Sequence, residues 1–285
     1  MNLVLQGPAL SKADIDAVAD GARPAAIVPL NEKAARLSGA TPHDSIAKIC
    51  EARRIDYAWM EPGRRFADLG LLAMDMDSTL ITIECIDELG AMAGRGAEIA
   101  AITEAAMRGE IADYQESLRR RVALLEGTKE SVLEDVYRQK LRLTAGAEEL
   151  LASCRKHGVK TLLVSGGFTY FSDHVRDLLK LDYTRSNVLE IADGALTGRM
   201  VDQPWGDICD GAEKRRALLQ ACERLGIAPG QAIAVGDGAN DLPMMAACGL
   251  SVGFDAKAPV RDEASVLLDI RDLSRILELL GLSEA

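Results

Sequence analysis

Clustered positive charge is what this chain most plainly lacks. Its 285 residues carry 33 Lys and Arg against 44 Asp and Glu, for a formal net charge of −11. No stretch concentrates enough Lys and Arg to follow a phosphate backbone, which argues against a nucleic-acid partner. A small anionic substrate stays open, since one cation and one or two basic side chains can reverse the field inside a pocket. Apolar runs of the ~20 residues needed to span a bilayer are also missing. The first residues, Met1 to Pro8, have neither the basic nor the apolar region of a secretory leader. The expectation is no membrane partner and a cytoplasmic location. The six cysteines, Cys50, Cys85, Cys154, Cys209, Cys222 and Cys248, include no C-x-x-C pair, so neither a zinc site nor a disulfide framework is indicated. The three histidines, His43, His157 and His174, follow no ligand spacing. What remains is an ordinary globular composition, 48% hydrophobic and 27% charged, long enough for one large core and a small accessory domain.

The stretch Leu71-Leu72-Ala73-Met74-Asp75-Met76-Asp77-Ser78-Thr79-Leu80 organises the rest. Its apolar start reads as a buried parallel strand, and it ends in two carboxylates and two hydroxyls, a poor way to continue a core. Residues two apart on an extended chain project to one side, so Asp75 and Asp77 can serve one site. In open α/β sheets such a site lies outside the carboxyl ends of the strands. Two carboxylates that close repel each other and call for a cation between them, and hard oxygen ligands suit magnesium. One of them could attack phosphorus while the other handles protons. Alone, the pentapeptide is equally well an acidic turn after a strand.

Residues 1 to about 65 alternate short apolar runs with amphipathic ones: strands at Leu3–Leu5, Ala25–Leu30 and Tyr57–Met60, and helices near Ser11–Ala19 and Asp44–Arg54, with Ser11 and Thr41 as N-caps. This is a small α+β module, structural, dimerising in a homodimer, or ligand-binding, and Glu61-Pro62-Gly63-Arg64-Arg65 closes it as a linker. From Ile81 to Gln139 the apolar spacing is helical, as in Ile86, Leu89, Leu118, Val122 and Leu125. That is too much helix for one crossover, and it reads as a cap over residues 66–80 and 140–285. A helix at Ala147–His157 and a strand at Val159–Val164 lead into Ser165-Gly166-Gly167-Phe168, where a hydroxyl and glycine-freed amides suit phosphoryl oxygens. Asp193-Gly194 marks a hairpin. Lys214 stands near the start of a helix over Glu213–Leu225, and a third buried strand, Gln231–Val235, delivers Gly236-Asp237-Gly238-Ala239-Asn240-Asp241. Strands at Leu250–Val252 and Val266–Leu268 and a helix at Leu273–Leu280 complete an α/β fold.

Taken in order, Asp75-Met76-Asp77-Ser78-Thr79, Ser165-Gly166-Gly167, Lys214 and Gly236-Asp237-Gly238-Ala239-Asn240-Asp241 resemble the four motifs of the haloacid dehalogenase superfamily. Glu84, Met107, Tyr114 and Ser117-Leu118-Arg119-Arg120-Arg121-Val122 are similar to its phosphoserine phosphatase branch, with Tyr114 where that branch commonly has Phe. The resemblance covers roughly residues 70–280. It implies a Rossmann-like parallel-sheet core with the cap inserted after the first core strand. It also implies magnesium-dependent hydrolysis of O-phospho-L-serine through an aspartyl-phosphate, the last step of serine biosynthesis. By the same resemblance Asp75 is the nucleophile, Asp77 the general acid and base, and Lys214 the catalytic ammonium. Magnesium falls to the Asp75 carboxylate, the Asp77 backbone carbonyl and Asp237, with Asp241 in support. Substrate falls to Glu84, Met107, Tyr114, Arg121, Ser165, Gly166, Lys214 and Asn240. Of the three arginines, two are expected to be solvated and Arg121 to read a carboxylate. The alternatives are a phosphotransferase, a phosphatase for another small phosphomonoester, or a catalytically silent amino-acid-binding regulator.

Overall fold

The computed structural model describes residues 1–282, so positions 283–285 of the expected core lie outside the described residues. Near the N-terminus, β1 (Asn2–Gln6), α1 (Lys12–Ala22), β2 (Ala26–Asn31), β3 (Ala34–Ser38), α2 (Ser45–Arg53) and β4 (Asp56–Met60) form an antiparallel sheet of order β2-β3-β1-β4 with two helices. Successive residues of β1 face opposite sides. Leu3 and Leu5 therefore join Val18, Ala22, Ile46 and Cys50 under the helices, whereas Val4 joins Ala58, Met60 and Leu72 in the main core.

Ser11 caps α1 as its sequence suggests, its hydroxyl accepting the Asp14 N–H at 3.2 Å. Thr41 does not cap α2. That helix begins at Ser45 after Asp44, and the Ser45 N–H is taken by His43 Nδ1 at 3.2 Å. β3 is a strand that the sequence pattern does not announce, because Ala34-Ala35-Arg36-Leu37-Ser38 is poor in β-branched and aromatic residues.

The second sheet starts with β5 (Leu71–Met74). The cap follows as α3 (Cys85–Met92), α4 (Gly96–Met107), α5 (Tyr114–Ala123) and α6 (Ser131–Gln139). Then come α7 (Ala147–His157), β6 (Lys160–Phe168), α8 (Thr169–Leu179), β7 (Tyr183–Ala192), β8 (Ala195–Val201), α9 (Gly211–Leu225), β9 (Ala232–Gly236), α10 (Leu242–Met245), β10 (Leu250–Phe254), α11 (Ala258–Glu263), β11 (Val266–Leu268) and α12 (Arg275–Leu279). The order is β11-β10-β9-β5-β6-β7-β8, parallel except for the β7–β8 hairpin. Every residue of β5 is buried, as expected for a central parallel strand covered on both faces. The chain leaves β5 toward β6 on one side and returns to β9 on the other, and that reversal opens a crevice at the carboxyl ends.

The linker does not separate the two sheets energetically. Gln6 Nε2 donates to Glu278 Oε2 at 2.6 Å, Arg275 Nη2 to the Gly7 carbonyl at 2.9 Å, and the Ile270 N–H to Asp56 Oδ2 at 2.8 Å. These bonds tie the N-terminal sheet to the last helix of the core and to the segment just after its last strand. Among the described residues no helix is long and apolar enough to cross a membrane.

Candidate active site

Three strand ends meet in the crevice. Asp75 follows β5, and the chain then turns tightly over Met76–Leu80 with Ser78 at φ 58°. The extended backbone at Asp77 and the left-handed one at Ser78 keep this segment from continuing as a regular helix. Asp237 follows β9 directly. Ser165 lies within β6, not beyond it: the strand runs on to Phe168 with an irregular register between Val164 and Phe168. The reason is that Gly166 and Gly167 carry the backbone close to other groups. A Cβ on Gly167 would stand 2.9 Å from Met76 Cε and 3.3 Å from Asp77 Oδ2, and one on Gly166 would stand 1.9 Å from the Tyr114 hydroxyl. A side chain at either position would displace these site groups.

The core wall of the crevice is densely wired. Lys214, fully buried on the first turn of α9, donates to Asp75 Oδ1 and to Asp241 Oδ1, each at 2.7 Å. Burial opposes its charge, but Asp241 and Asp75 outweigh that and hold the ammonium well above its ordinary value. Asp241 is fully occupied, since its other oxygen accepts the N–H groups of Asp237 and Gly238, both at 3.1 Å. Burial and the neighbouring Asp241 raise Asp75 well above the carboxylate range despite Lys214. Burial, then Glu84, lifts Asp77 to about 7, which leaves a proton available near neutrality. Asp77 Oδ2 accepts the Cys85 N–H at 3.2 Å, while its buried Oδ1 has no hydrogen-bond partner among the described residues. The Ser165 hydroxyl accepts the Gly167 N–H at 2.8 Å and keeps its own proton to give. Asn240 is half-buried, its side-chain oxygen folded over Gly238.

Asp75, Asp237 and Asp241 can each place an oxygen within 4.8 Å of the others. This buried set of hard oxygen donors fits a divalent cation. Asp241 has both oxygens committed, to Lys214 and to two backbone amides, whereas Asp75 and Asp237 have one oxygen each engaged, by Lys214 and Lys257, and the other left to hold one.

The cap wall is built differently. Tyr114 and Arg121 lie seven residues apart on α5, hence on one face of it. That helix is fastened to the core by Gln115 Nε2 donating to Asp210 Oδ2 at 2.6 Å and by the Arg119–Asp207 ion pair at 2.9 Å. Arg120 pairs with Glu116. Arg121 alone of the three makes no ion pair within 4 Å among the described residues, although its charge acts on Asp87, and Nε bonds only the Ser117 carbonyl of its own helix at 3.4 Å. Glu84, at the start of α3, accepts from the Ser78 hydroxyl at 2.8 Å. Met107 is not brought in: it sits on the last turn of α4 with 75% of its surface exposed.

A family model described as haloacid dehalogenase-like hydrolase matches residues 69–249, and the phosphoserine phosphatase of Polaromonas sp. is 62% identical over 218 residues, 76% of this chain and 92% of that protein. The chain belongs to the haloacid dehalogenase-like hydrolases. A second family model, described only as a domain of unknown function, matches residues 3–46. Among solved structures, an unliganded probable phosphoserine phosphatase from Vibrio cholerae superposes with TM-score 0.84 at 35% identity, covering 98% of this chain and 86% of that one. A phospho-aspartyl intermediate analogue of phosphoserine phosphatase gives 0.68 at 35% identity, covering 74% and 98%.

Two groups at the site of this hydrolase escape the motif pattern. Lys257, in the loop after β10, lies 2.8 Å from Asp237 Oδ2 and 3.7 Å from Glu84 Oε1, so it is a cation that links the two walls. Asn187, wholly buried on β7, donates to the Gly166 carbonyl at 2.7 Å and accepts the Cys209 N–H at 2.6 Å, clamping the glycine segment in place. A lysine between two strands carries no signal of its own. An asparagine in a strand of mixed composition (Tyr183–Ala192) carries little signal either, and only its complete burial shows that it must find partners.

Proposed function

We propose that this hydrolase releases phosphate from O-phospho-L-serine through an aspartyl-phosphate, with magnesium as cofactor. The 62% identity to the Polaromonas phosphoserine phosphatase over most of both chains carries the reading. Asp75 attacks phosphorus, forming the acyl phosphate as the ester P–O bond breaks, and Asp77 gives its proton to the departing serine oxygen. Asp77 then takes a proton from the water that attacks the acyl phosphate, which returns the Asp75 carboxylate and frees inorganic phosphate. The orphaned Asp77 Oδ1 supports that exchange. Lys214, Ser165 and the Gly166 backbone hold the phosphoryl oxygens, and Asn240 adds a contact. Magnesium would be held by the Asp75 and Asp237 carboxylates and the Asp77 carbonyl, where it neutralises phosphoryl charge.

Arg121 takes the substrate carboxylate in a two-pronged grip and Glu84 takes the ammonium. A guanidinium with no ion pair among the described residues, near enough to Tyr114 for its charge to act on that phenol, supports the first assignment. The division that goes with this reading assigns residues 66–80 and 140–285 to the phosphatase core, 81–139 to the cap, and 1–65 to an accessory module that lacks site residues and could serve a homodimer. Six free thiols fit a reducing cytoplasm.

A phosphate-release screen with magnesium over phosphoserine, phosphothreonine, phosphoethanolamine and sugar phosphates tests the substrate, with phosphoserine expected to lead. Comparable turnover of all four would leave a generic phosphomonoesterase. Transfer of the phosphoryl group to added hydroxyl acceptors in place of water would instead indicate a phosphotransferase.

A further inference from the structure

The Tyr114 hydroxyl reaches from the cap to the glycine segment of the phosphoryl site. It comes within 1.9 Å of where a Cβ on Gly166 would stand, and the next nearest atom to that point is the ring carbon bearing it, at 3.2 Å. The hydroxyl, not the ring, therefore rests against the glycine backbone. It has no hydrogen-bond partner among the described residues, although Asp113 caps the helix directly before it through the Gln115 N–H at 2.9 Å. The charged groups that act on it are Lys214, Arg121 and Asp75. Burial holds the phenol above its ordinary value, with the two cations opposing, so it meets an anion as a donor. A wall residue needs no hydroxyl in this place, whereas a donor beside an anion site gains a charge-assisted hydrogen bond when the anion arrives.

We propose that Tyr114 is a further phosphoryl-binding residue of the reaction, donating its hydroxyl hydrogen to a phosphoryl oxygen from the cap side while Ser165 and Lys214 act from the core side. The inference rests on the phosphoryl site proposed above and deepens it. Closure of the cap then adds a hydrogen-bond donor to the transferring group as well as a barrier to water. Because the phosphoryl group is common to all substrates, Tyr114 sets rate and anion affinity, whereas Arg121 sets the choice of amino acid.

The test is Tyr114→Phe, which keeps the ring, compared with wild type in three measurements. Orthovanadate binding in the presence of Mg2+, read by calorimetry, is expected to weaken about tenfold, the loss of one hydrogen bond to a charged acceptor. The kcat/KM values for phosphoserine and phosphoethanolamine should fall by that same factor, equally for both. Inhibition by L-serine, which has no phosphoryl group, should not change. A double-mutant cycle with Gly166→Ala checks the geometry without relying on a substrate: the added Cβ must displace the hydroxyl, so Gly166→Ala should weaken vanadate binding more in the Tyr114 background than in the Phe background.

Vanadate affinity within twofold of wild type in Tyr114→Phe, or a loss confined to phosphoserine, overturns the proposal. So does a wild-type protein that binds no vanadate. A wild type that binds vanadate but does not hydrolyse phosphoserine would remove the substrate assignment and leave the hydroxyl contact standing.

Discussion

The two walls of the crevice handle polar groups in opposite ways. On the core wall nearly every charge meets another: Lys214 with Asp75 and Asp241, Asp241 with two backbone amides, Asp237 with Lys257. On the cap wall Arg121 bonds only its own helix and the Tyr114 hydroxyl bonds nothing among the described residues. The difference follows from what each wall is for. Stabilising charge that develops on a transferring phosphoryl requires groups already fixed in place, so they are fixed by one another. Reading an amino acid requires groups whose partner is the substrate, and Arg121 is without an ion pair before it arrives, whereas Glu84 already accepts from Ser78 and lies 3.7 Å from Lys257. The informative exception is Asp77 Oδ1, an orphan on the core wall, and it belongs to the group assigned to exchange a proton with the leaving oxygen.

Breaking the core wall should give the largest effect. Asp75→Asn keeps shape and removes the nucleophile, so turnover of every phosphomonoester should drop by roughly 10⁴-fold or more, with folding by circular dichroism intact. Rapid-quench mapping with labelled substrate should place phosphate on the Asp75 peptide of wild type, and label on a serine or histidine peptide would contradict the covalent step. A smaller loss is expected from Asn187→Ala, which frees the Gly166 carbonyl and the Cys209 N–H. Misplacement of the glycine segment should lower kcat/KM by about 10- to 100-fold. The loss should be alike for phosphoserine and phosphoethanolamine; a changed ratio between them would blur the division between walls.

The smallest effect lies outside both walls, at the seam with the N-terminal sheet. Burial lifts Asp56 to about 6 from an ordinary 3.8. The folded state thus binds this proton more tightly than the unfolded chain, so stability is lost as pH rises through that interval and the full penalty stands above it. Asp56→Asn retains an acceptor for the Ile270 N–H and cannot ionise. Its melting temperature should exceed wild type at pH 8, by at most about 2–3 kcal/mol of stability, and match it at pH 4. An equal shift at both pH values would assign the effect to packing.

Much of the core wall was legible in the sequence because its residues stand at the ends of apolar strands, where a carboxylate or a glycine pair interrupts a pattern that burial would otherwise continue. Asp75 and Asp237 announce themselves in that way, and Ser165 does so through the glycines that follow it, although β6 runs on to Phe168. Lys214 does not: a lysine in an amphipathic helix normally points to water, and only the ordered set of motifs singles it out. The cap was legible as a helical insertion from its spacing, but not the separate placement of its residues. Arg121 and Met107 are both helical and both carried by resemblance, yet α5 faces the crevice and the end of α4 faces solvent. Lys257 and Asn187 act through contacts made by distant segments, which no local pattern encodes. The tight seam between the two sheets was likewise hidden, because Gln6, Asp56 and Arg275 read as ordinary surface residues until their partners, more than 200 positions away, are in place.

The division of labour between the walls is tested most directly by Arg121→Ala, measured as kcat/KM for phosphoserine and for phosphoethanolamine, which keeps the ammonium and lacks the carboxylate. Loss of a carboxylate grip in a desolvated site is worth about 2–4 kcal/mol, or roughly 30- to 1,000-fold. We predict that loss for phosphoserine with little change for phosphoethanolamine. Equal, small effects on both substrates would make Arg121 one more solvated charge on α5 and would contradict the assignment of selectivity to the cap.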